Sequence, residues 1–385
     1  MDPKIKVLHI MSSFGGGISS FIRNKAKSVD SSKIVFDIAT FNDYPADFAD
    51  DVKQMGGNIY HIPNPKVEGI SIFKKTYQSI LKEHGPYEMV HCHVGGHRAF
   101  SFYLLTKQMG INRFIVHAHS SEPYFPVKKS LAQKSGIKLD RILNRVSATQ
   151  MVSCGEFASR FYFGDKLVAA KQVMHIPNSI DSEKYVNRLS KEEKEKKKKE
   201  LNWPSDRWIV GHVGRFDKNK NHAFLIDLAS KMKEDGLPFF FIFIGTGILI
   251  EDVKAAIEQR GLNDYIQVLG RREDVNQLYP LMDVFVLPSY SEGLPTVCVE
   301  AQSSGVPCIV SNTITHEIDM DLGMVQFAPL NDLESWSACL QESKSIRIPS
   351  MIEIENKLVE KKFSNEASAR LYEQFVLKKV DHYEL

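Results

Sequence analysis

A chain of 385 residues is too long for one ordinary core, and 43% hydrophobic with 25% charged residues excludes a mainly disordered protein. Lysines and arginines number 49 against 47 acidic residues, and the resulting formal charge of +2 speaks against a dedicated nucleic-acid binder. The five scattered cysteines form no C-x-x-C pair, so reduced thiols in a cytoplasmic protein are expected rather than a disulfide framework or a zinc ribbon. The first apolar run is too short for a secretion signal. No later stretch approaches the ~20 apolar residues of a membrane span.

Short β-branched and aromatic runs predict strands at 7–11, 34–40, 59–63, 89–93, 114–119, 151–154 and 173–177. A second series follows at 209–213, 239–244, 266–269, 284–287 and 308–310. Several are continuously apolar, as parallel strands covered on both faces require, and helix-length polar segments separate them. The pattern reads as doubly wound α/β, repeated once. The expected division is a first domain over 1–180, a linker with a charged helix over 181–205, and a second domain over 206–364. In the run 191–200 interleaved glutamates favour a solvated helix over a basic tail. A helix from Asn365 carries Leu371, Phe375 and Val376 on one face and is expected to pack back on the first domain. Ligands of such sheets bind beyond the carboxyl ends of the strands.

Three loops there carry candidate chemistry. Gly15-Gly16-Gly17 follows the first strand and opens a helix, which allows close backbone approach and leaves N–H groups for an anion. As a dinucleotide fingerprint it is imperfect, because Ser20 takes the last glycine's place and Asp37 lies inside its strand. Arg215 and Lys220 leave the strand 209–213 on one loop, suited to holding a diphosphate between a fork donor and a point charge. Glu292 and Glu300 bracket Gly293-Leu294-Pro295-Thr296-Val297, where a helix opens and its N–H groups point above the sheet. Carboxylates at such places accept paired hydrogen bonds from vicinal hydroxyls of a sugar or ribose.

Two further clusters are less specific. His91-Cys92-His93 and His117-Ala118-His119 place imidazole pairs side by side at neighbouring strand ends, with no evident carboxylate to favour a metal. Lys134, Lys138, Arg141 and Arg145 form a basic stripe along one helix, downstream of Tyr124 and Phe125. That stripe reads either as a solvated face or as a dock for an anionic membrane surface.

On the Arg215–Lys220 loop, the Glu292-to-Glu300 segment and Pro177-Asn178-Ser179-Ile180-Asp181, the chain resembles the retaining, nucleotide-sugar-dependent glycosyltransferases of GT-B fold that carry the E-x7-E motif. Within them it looks most like the bacterial capsular and exopolysaccharide enzymes. The resemblance implies two Rossmann-like domains facing across a cleft. It also implies transfer of a hexosyl or N-acetylhexosaminyl group from a nucleotide-diphosphate donor, with UDP-sugars preferred, to a lipid-linked or oligosaccharide acceptor. Arg215 and Lys220 match the pair on the departing diphosphate, Glu300 the residue on the ribose, and Glu292 the one beside the donor sugar. Leu269 and Arg271 lie in the segment that reads the base, and Gly245 matches the glycine under the nucleotide. Gly16 and Gly17, with the backbone from Gly293 to Val297, would border the donor, and His119 would reach a donor-sugar hydroxyl. No D-x-D-like dipeptide stands out, so neither a metal nor another cofactor is expected. One departure is Ser19, where relatives commonly have glutamate. The alternatives that stay open are a catalytically silent assembly subunit and a nicotinamide-dependent oxidoreductase.

Overall fold

The computed structural model describes residues 4–12, 14, 16–122 and 129–380. Gly15, Tyr124 and Phe125 lie outside the described residues. The chain divides into two compact units. One runs to Ser179 and takes in the chain from Lys362; the other is Ile180–Lys361.

In the first unit β1 (Ile5–Met11), β2 (Ile34–Thr40), β3 (Ile59–His61), β4 (Met89–Cys92), β5 (Phe114–Ala118), β6 (Gln150–Ser153) and β7 (Val173–His175) form a sheet of order β3-β2-β1-β4-β5-β6-β7. Every pairing is parallel. All seven residues of β2 are buried, which explains why it is mostly apolar, with the buried Asp37 held by partners of its own. The helix Asn365–Val376 joins this unit, with Leu371, Tyr372, Phe375 and Val376 in the same core as Phe21 and Phe36. Arg113, at the foot of β5, donates to the carbonyls of Phe375 and Val376, both at 2.6 Å. These carbonyls end a helix and have no partner within it.

In the second unit β8 (Trp208–Val213), β9 (Phe239–Ile244), β10 (Ile266–Gly270), β11 (Val284–Leu287), β12 (Cys308–Ser311) and β13 (Val325–Ala328) form a parallel sheet of order β10-β9-β8-β11-β12-β13. The sequence reading misses β13. It is an edge strand in which only Ala328 is fully buried, so it lacks the apolar run that marks the others. Residues 181–205 are part of this unit: Trp203 is buried, and Lys198 reaches Asp283 at 3.4 Å from the helix Lys191–Glu200.

Each sheet reverses its strand order once, between β1 and β4 and between β8 and β11. Such switch points open a crevice beyond the carboxyl ends, because flanking connections leave to opposite faces. The glycine loop follows β1, the Arg215 loop follows β8, and the Glu292 loop follows β11. No described helix is long and apolar enough to cross a membrane.

Candidate functional site

In the second unit three loops are stitched together by backbone. Gly214 N–H donates to Ile244 O at 3.0 Å, Phe216 N–H to Thr246 O at 2.9 Å, and Gly245 N–H to Gly270 O at 2.8 Å. Gly245 has φ 143°, and a Cβ there would sit 2.0 Å from the Gly214 carbonyl oxygen. Only glycine lets the β8 and β9 ends approach this closely. At β10 the register against β9 shifts between Val268 and Gly270, which takes the Leu269 main chain out of the regular ladder.

The charged groups converge above β8 and β11. Lys220 Nζ donates to Glu292 Oε1 at 2.6 Å, with the two side chains only 13% and 15% exposed. Asn219 Nδ2 donates to Ser291 O at 2.8 Å and lies 3.4 Å from the same Glu292 oxygen. Asp217 accepts from Lys220 N–H at 3.1 Å and so holds the short turn Lys218–Lys220. Arg215 behaves differently: its side chain is 77% exposed and only loosely paired with Asp217, at 3.5 Å. Arg271 is likewise exposed and reaches Glu273 at 3.8 Å.

Glu300 lies within the helix Thr296–Ser303, and Tyr279 Oη donates to its Oε2 at 3.0 Å. Tyr185 and Thr296 also hydrogen-bond this carboxylate. Burial raises its pKa, and the surrounding hydroxyls oppose that shift. Tyr185 and Tyr279 escaped the sequence reading because lone tyrosines far apart in the chain carry no spacing signal. Pro295 sits just before the helix as its cap. Gly293, Leu294 and Pro295 are buried, while Thr296 and Val297 are partly accessible and head the helix. Their N–H groups belong to the set that has no acceptor within a helix. The buried Ser289 hydroxyl above β11 has no hydrogen-bond partner among the described residues.

In the first unit Gly16 caps the helix Gly17–Ser28 with extended backbone, and a Cβ on Gly16 would meet nothing within 4 Å. A Cβ on Gly17 would make an ordinary 3.4 Å contact with Asn178. Ser19 turns back on its own helix start, donating to Gly16 O at 2.9 Å and accepting from Gly16 N–H at 3.3 Å. It therefore cannot reach outward as a glutamate would. Asp37 is fully buried, accepts from Tyr87 Oη at 2.7 Å and pairs with Lys6 at 3.0 Å. That occupies the carboxylate a ribose would need in the dinucleotide reading.

The histidine pairs are joined by His9 and Tyr372 into one buried cluster. His93 Nδ1 shares a hydrogen bond with His119 Nε2 at 2.8 Å, and His91 Nε2 shares one with His117 Nδ1 at 3.0 Å. Burial holds His9 and His119 down at about 3 and the other three well below the usual imidazole value. Two trios, His9/His91/His93 and His93/His117/His119, are close enough to share a cation. Most of their ring nitrogens already bond one another, so a metal would have to break that network.

The basic stripe is divided. On the helix Leu131–Ser147, Arg141 Nε donates to Phe161 O at 2.9 Å and Arg145 Nε to Phe163 O at 2.6 Å. Both satisfy carbonyls that end the helix Glu156–Phe163. Lys134 and Lys138 stay exposed, accompanied by exposed Leu131, Leu139, Ile142 and Val146.

Residues 193–317 match the family described as Glycosyl transferases group 1. The chain is 32% identical over 348 residues to the putative glycosyltransferase EpsF of Bacillus subtilis, covering 89% of each. It is 34% identical over 170 residues, 42% of each chain, to the Escherichia coli UDP-Gal:alpha-D-GlcNAc-diphosphoundecaprenol alpha-1,3-galactosyltransferase. Anabaena HepE, solved in complex with UDP-glucose, superimposes with a TM-score of 0.75 over 98% of this chain and all of HepE at 16% identity. The two parallel sheets are those of a GT-B fold, and the chain belongs to the group 1 glycosyltransferases, among relatives that build capsular and other polysaccharides.

Proposed function

We propose that this glycosyltransferase is a retaining enzyme that moves a sugar from a nucleoside-diphosphate donor, a UDP-sugar, to a lipid-linked polysaccharide acceptor. The observation that carries the reading is the pair Lys220–Glu292 lying above the β8/β11 switch point beside the phenol-held Glu300. Tyr279 and Tyr185 orient the Glu300 carboxylate, whose remaining lone pairs suit the vicinal hydroxyls of a ribose. The bulged main chain at Leu269, with Arg271 beside it, suits the base, and Gly245 lets the β8 and β9 ends close together beneath the nucleotide.

Before donor binds, Glu292 is the anion that holds Lys220. An arriving diphosphate takes over that role and releases Glu292 toward the sugar hydroxyls. Arg215, exposed and weakly paired, swings onto the same phosphates. With the N–H groups at the head of helix Thr296–Ser303, from the Gly293–Val297 stretch, these cations stabilise the leaving group as an oxocarbenium-like centre develops. We place them in the role a divalent cation takes in other transferases, so activity is expected to survive chelation. His119 contacts a donor-sugar hydroxyl, and Gly16, where a Cβ would meet nothing, admits the donor backbone-close together with Gly17. With no second sugar-side carboxylate assigned, same-face return of the acceptor fits better than a covalent intermediate. UDP-bound HepE and the diphosphoundecaprenol-directed relative support the choice of donor and acceptor.

Nucleotide release from a panel of nucleotide sugars with a polyprenyl-diphosphate-linked acceptor, followed by the anomeric configuration of the product, tests this reading. An inverted product overturns retention, and no turnover with any donor favours a silent assembly subunit. Peripheral attachment to an anionic membrane belongs to the same reading, through Lys134, Lys138 and the exposed Leu131, Leu139, Ile142 and Val146. Sedimentation with anionic vesicles checks it, using Lys134→Glu/Lys138→Glu, because reversing Arg141 or Arg145 would also remove helix-end hydrogen bonds.

A further inference from the structure

The imidazoles of the first unit form one continuous hydrogen-bonded path with Tyr372 at its middle. One arm runs from Tyr372 Oη to His91 Nδ1 at 2.8 Å and from His91 Nε2 to His117 Nδ1 at 3.0 Å. The other runs from Tyr372 Oη to His9 Nε2 at 3.4 Å, from His9 Nδ1 to His93 Nε2 at 2.9 Å, and from His93 Nδ1 to His119 Nε2 at 2.8 Å. Two ring nitrogens are left at the ends, His117 Nε2 and His119 Nδ1, both buried and without a hydrogen-bond partner among the described residues.

Proton counting restricts this path severely. Burial keeps the five rings neutral and raises the Tyr372 phenol well above its ordinary value, so each ring carries one N–H and the phenol one O–H. If Tyr372 donates to His91, His91 must donate to His117 through Nε2, leaving His117 Nε2–H at that end. Tyr372 then accepts from His9 Nε2–H, His9 from His93 Nε2–H, and His93 from His119 Nε2–H. His119 Nδ1 is left as a bare lone pair. If Tyr372 donates to His9 instead, all five rings carry the proton on Nδ1, and His119 Nδ1 becomes a donor. The same six protons serve both registers. Any other arrangement leaves a buried donor facing a donor, a lone pair facing a lone pair, or the Tyr372 O–H with no acceptor on the path, each of which is costly.

We propose that His9, His91, His93, His117 and His119 share one tautomeric register through Tyr372, which makes Tyr372 the positioning residue that sets what His119 Nδ1 offers a ligand. The shorter of the two phenol contacts is to His91, so the favoured register is Nε2–H on all five rings, with His119 Nδ1 an acceptor for a hydroxyl. A ligand hydroxyl that donates to His119 Nδ1 reinforces this register as far away as His117. The functional consequence rests on the proposal above that His119 meets a donor-sugar hydroxyl; the register itself does not.

Two-bond 1H–15N correlation spectra of protein labelled with 15N-histidine read the tautomer of each ring directly. The expected result for the unaltered protein is Nε2–H at all five positions, and Nδ1–H at some with Nε2–H at others overturns the proposal. In Tyr372→Phe the arms are uncoupled, and mixed tautomers are expected at His117 and His119; an unchanged uniform register in that variant also overturns it. The unaltered protein decides the matter even if the variant folds poorly. In the same variant kcat should fall about ten-fold, the worth of one mis-set hydrogen bond, with nucleoside-diphosphate affinity unchanged. A uniform register in the unaltered protein and mixed tautomers in Tyr372→Phe, with turnover of that variant unaltered, uphold the relay and overturn the donor contact of His119 instead.

Discussion

The carboxyl ends of the two sheets solve opposite electrostatic problems. Above β8 and β11 the second unit keeps formal charges, Lys220 against Glu292 with Arg215 in solvent and Glu300 under two phenols. Above β1, β4 and β5 the first unit holds five imidazoles, all driven neutral by burial, with Tyr372 between them. A charged site can exchange one ion partner for another, which suits a diphosphate. A neutral, mutually bonded site presents fixed lone pairs and N–H groups, which suits hydroxyls. The same topology supports both because the chemistry lives in the loops and strand-end side chains rather than in the sheet.

The sharpest break in this contrast comes from the cations. Arg215→Ala should lower turnover by roughly 100- to 1,000-fold, the loss of about 2.7–4 kcal/mol at a leaving group, with the melting temperature unchanged because the side chain is mostly in solvent and its ion pair is loose. Lys220→Ala should cost a similar factor in turnover and also lower the melting temperature, since it takes the cation away from the partly buried Glu292. Thermal unfolding beside steady-state kinetics separates the two; equal melting behaviour would show that the Lys220–Glu292 pair contributes nothing to the fold.

Next in size is the division between the two carboxylates. Glu300→Gln should weaken nucleoside-diphosphate binding about 10- to 100-fold, on the scale of about 1.5–3 kcal/mol for hydrogen bonds to a charged group. Glu292→Gln should leave that affinity within a few-fold and act on turnover. Calorimetry with the nucleoside diphosphate alone reads this difference, and equal losses would dissolve it.

Acid should distinguish the units. Burial holds His9 and His119 at about 3 in the folded chain against 6.5 for a free imidazole, so between those values the unfolded chain binds more protons. Their contribution is complete above pH 6.5 and is lost as pH falls, by about 1.4 kcal/mol per unit for each group. The second unit holds His212, pushed well below its usual value by burial, and His222, lowered to about 4. The first unit is therefore expected to open first on acidification, seen as earlier loss of amide protection in β4 and β5 than in β8 and β11.

A second pH effect lies on the alkaline side. Lys25, buried against Ser179 and Ser368, is lowered by burial from 10.5 to about 7. The unfolded chain binds the extra proton between these values, so stability rises with pH across that window and is lost as pH falls through about 7. Lys25→Met should flatten this slope between pH 7 and 10, measured as the melting temperature of variant and parent side by side.

Much of the fold was legible because buried parallel strands must be spelled almost wholly in apolar residues, and twelve of the thirteen strands among the described residues overlap the predicted runs. The edge strand β13 was not, since an edge needs no such spelling. The Arg215–Lys220 and Glu292–Glu300 loops were visible as short spacings next to strand ends, where backbone alone brings neighbouring residues together.

What the sequence by itself determined is therefore local: two doubly wound halves, their strand-end loops, and the chemical types those loops carry. Only the tertiary structure decided which distant side chains complete them. It put Tyr185 and Tyr279 on Glu300, closed Lys220 onto Glu292, and turned Arg141 and Arg145 from a basic face into helix-end donors. It also brought Tyr372 from the far end of the chain between His9 and His91. Burial and hydrogen bonding act through space, and a spacing rule reaches no further than one strand, turn or helix face.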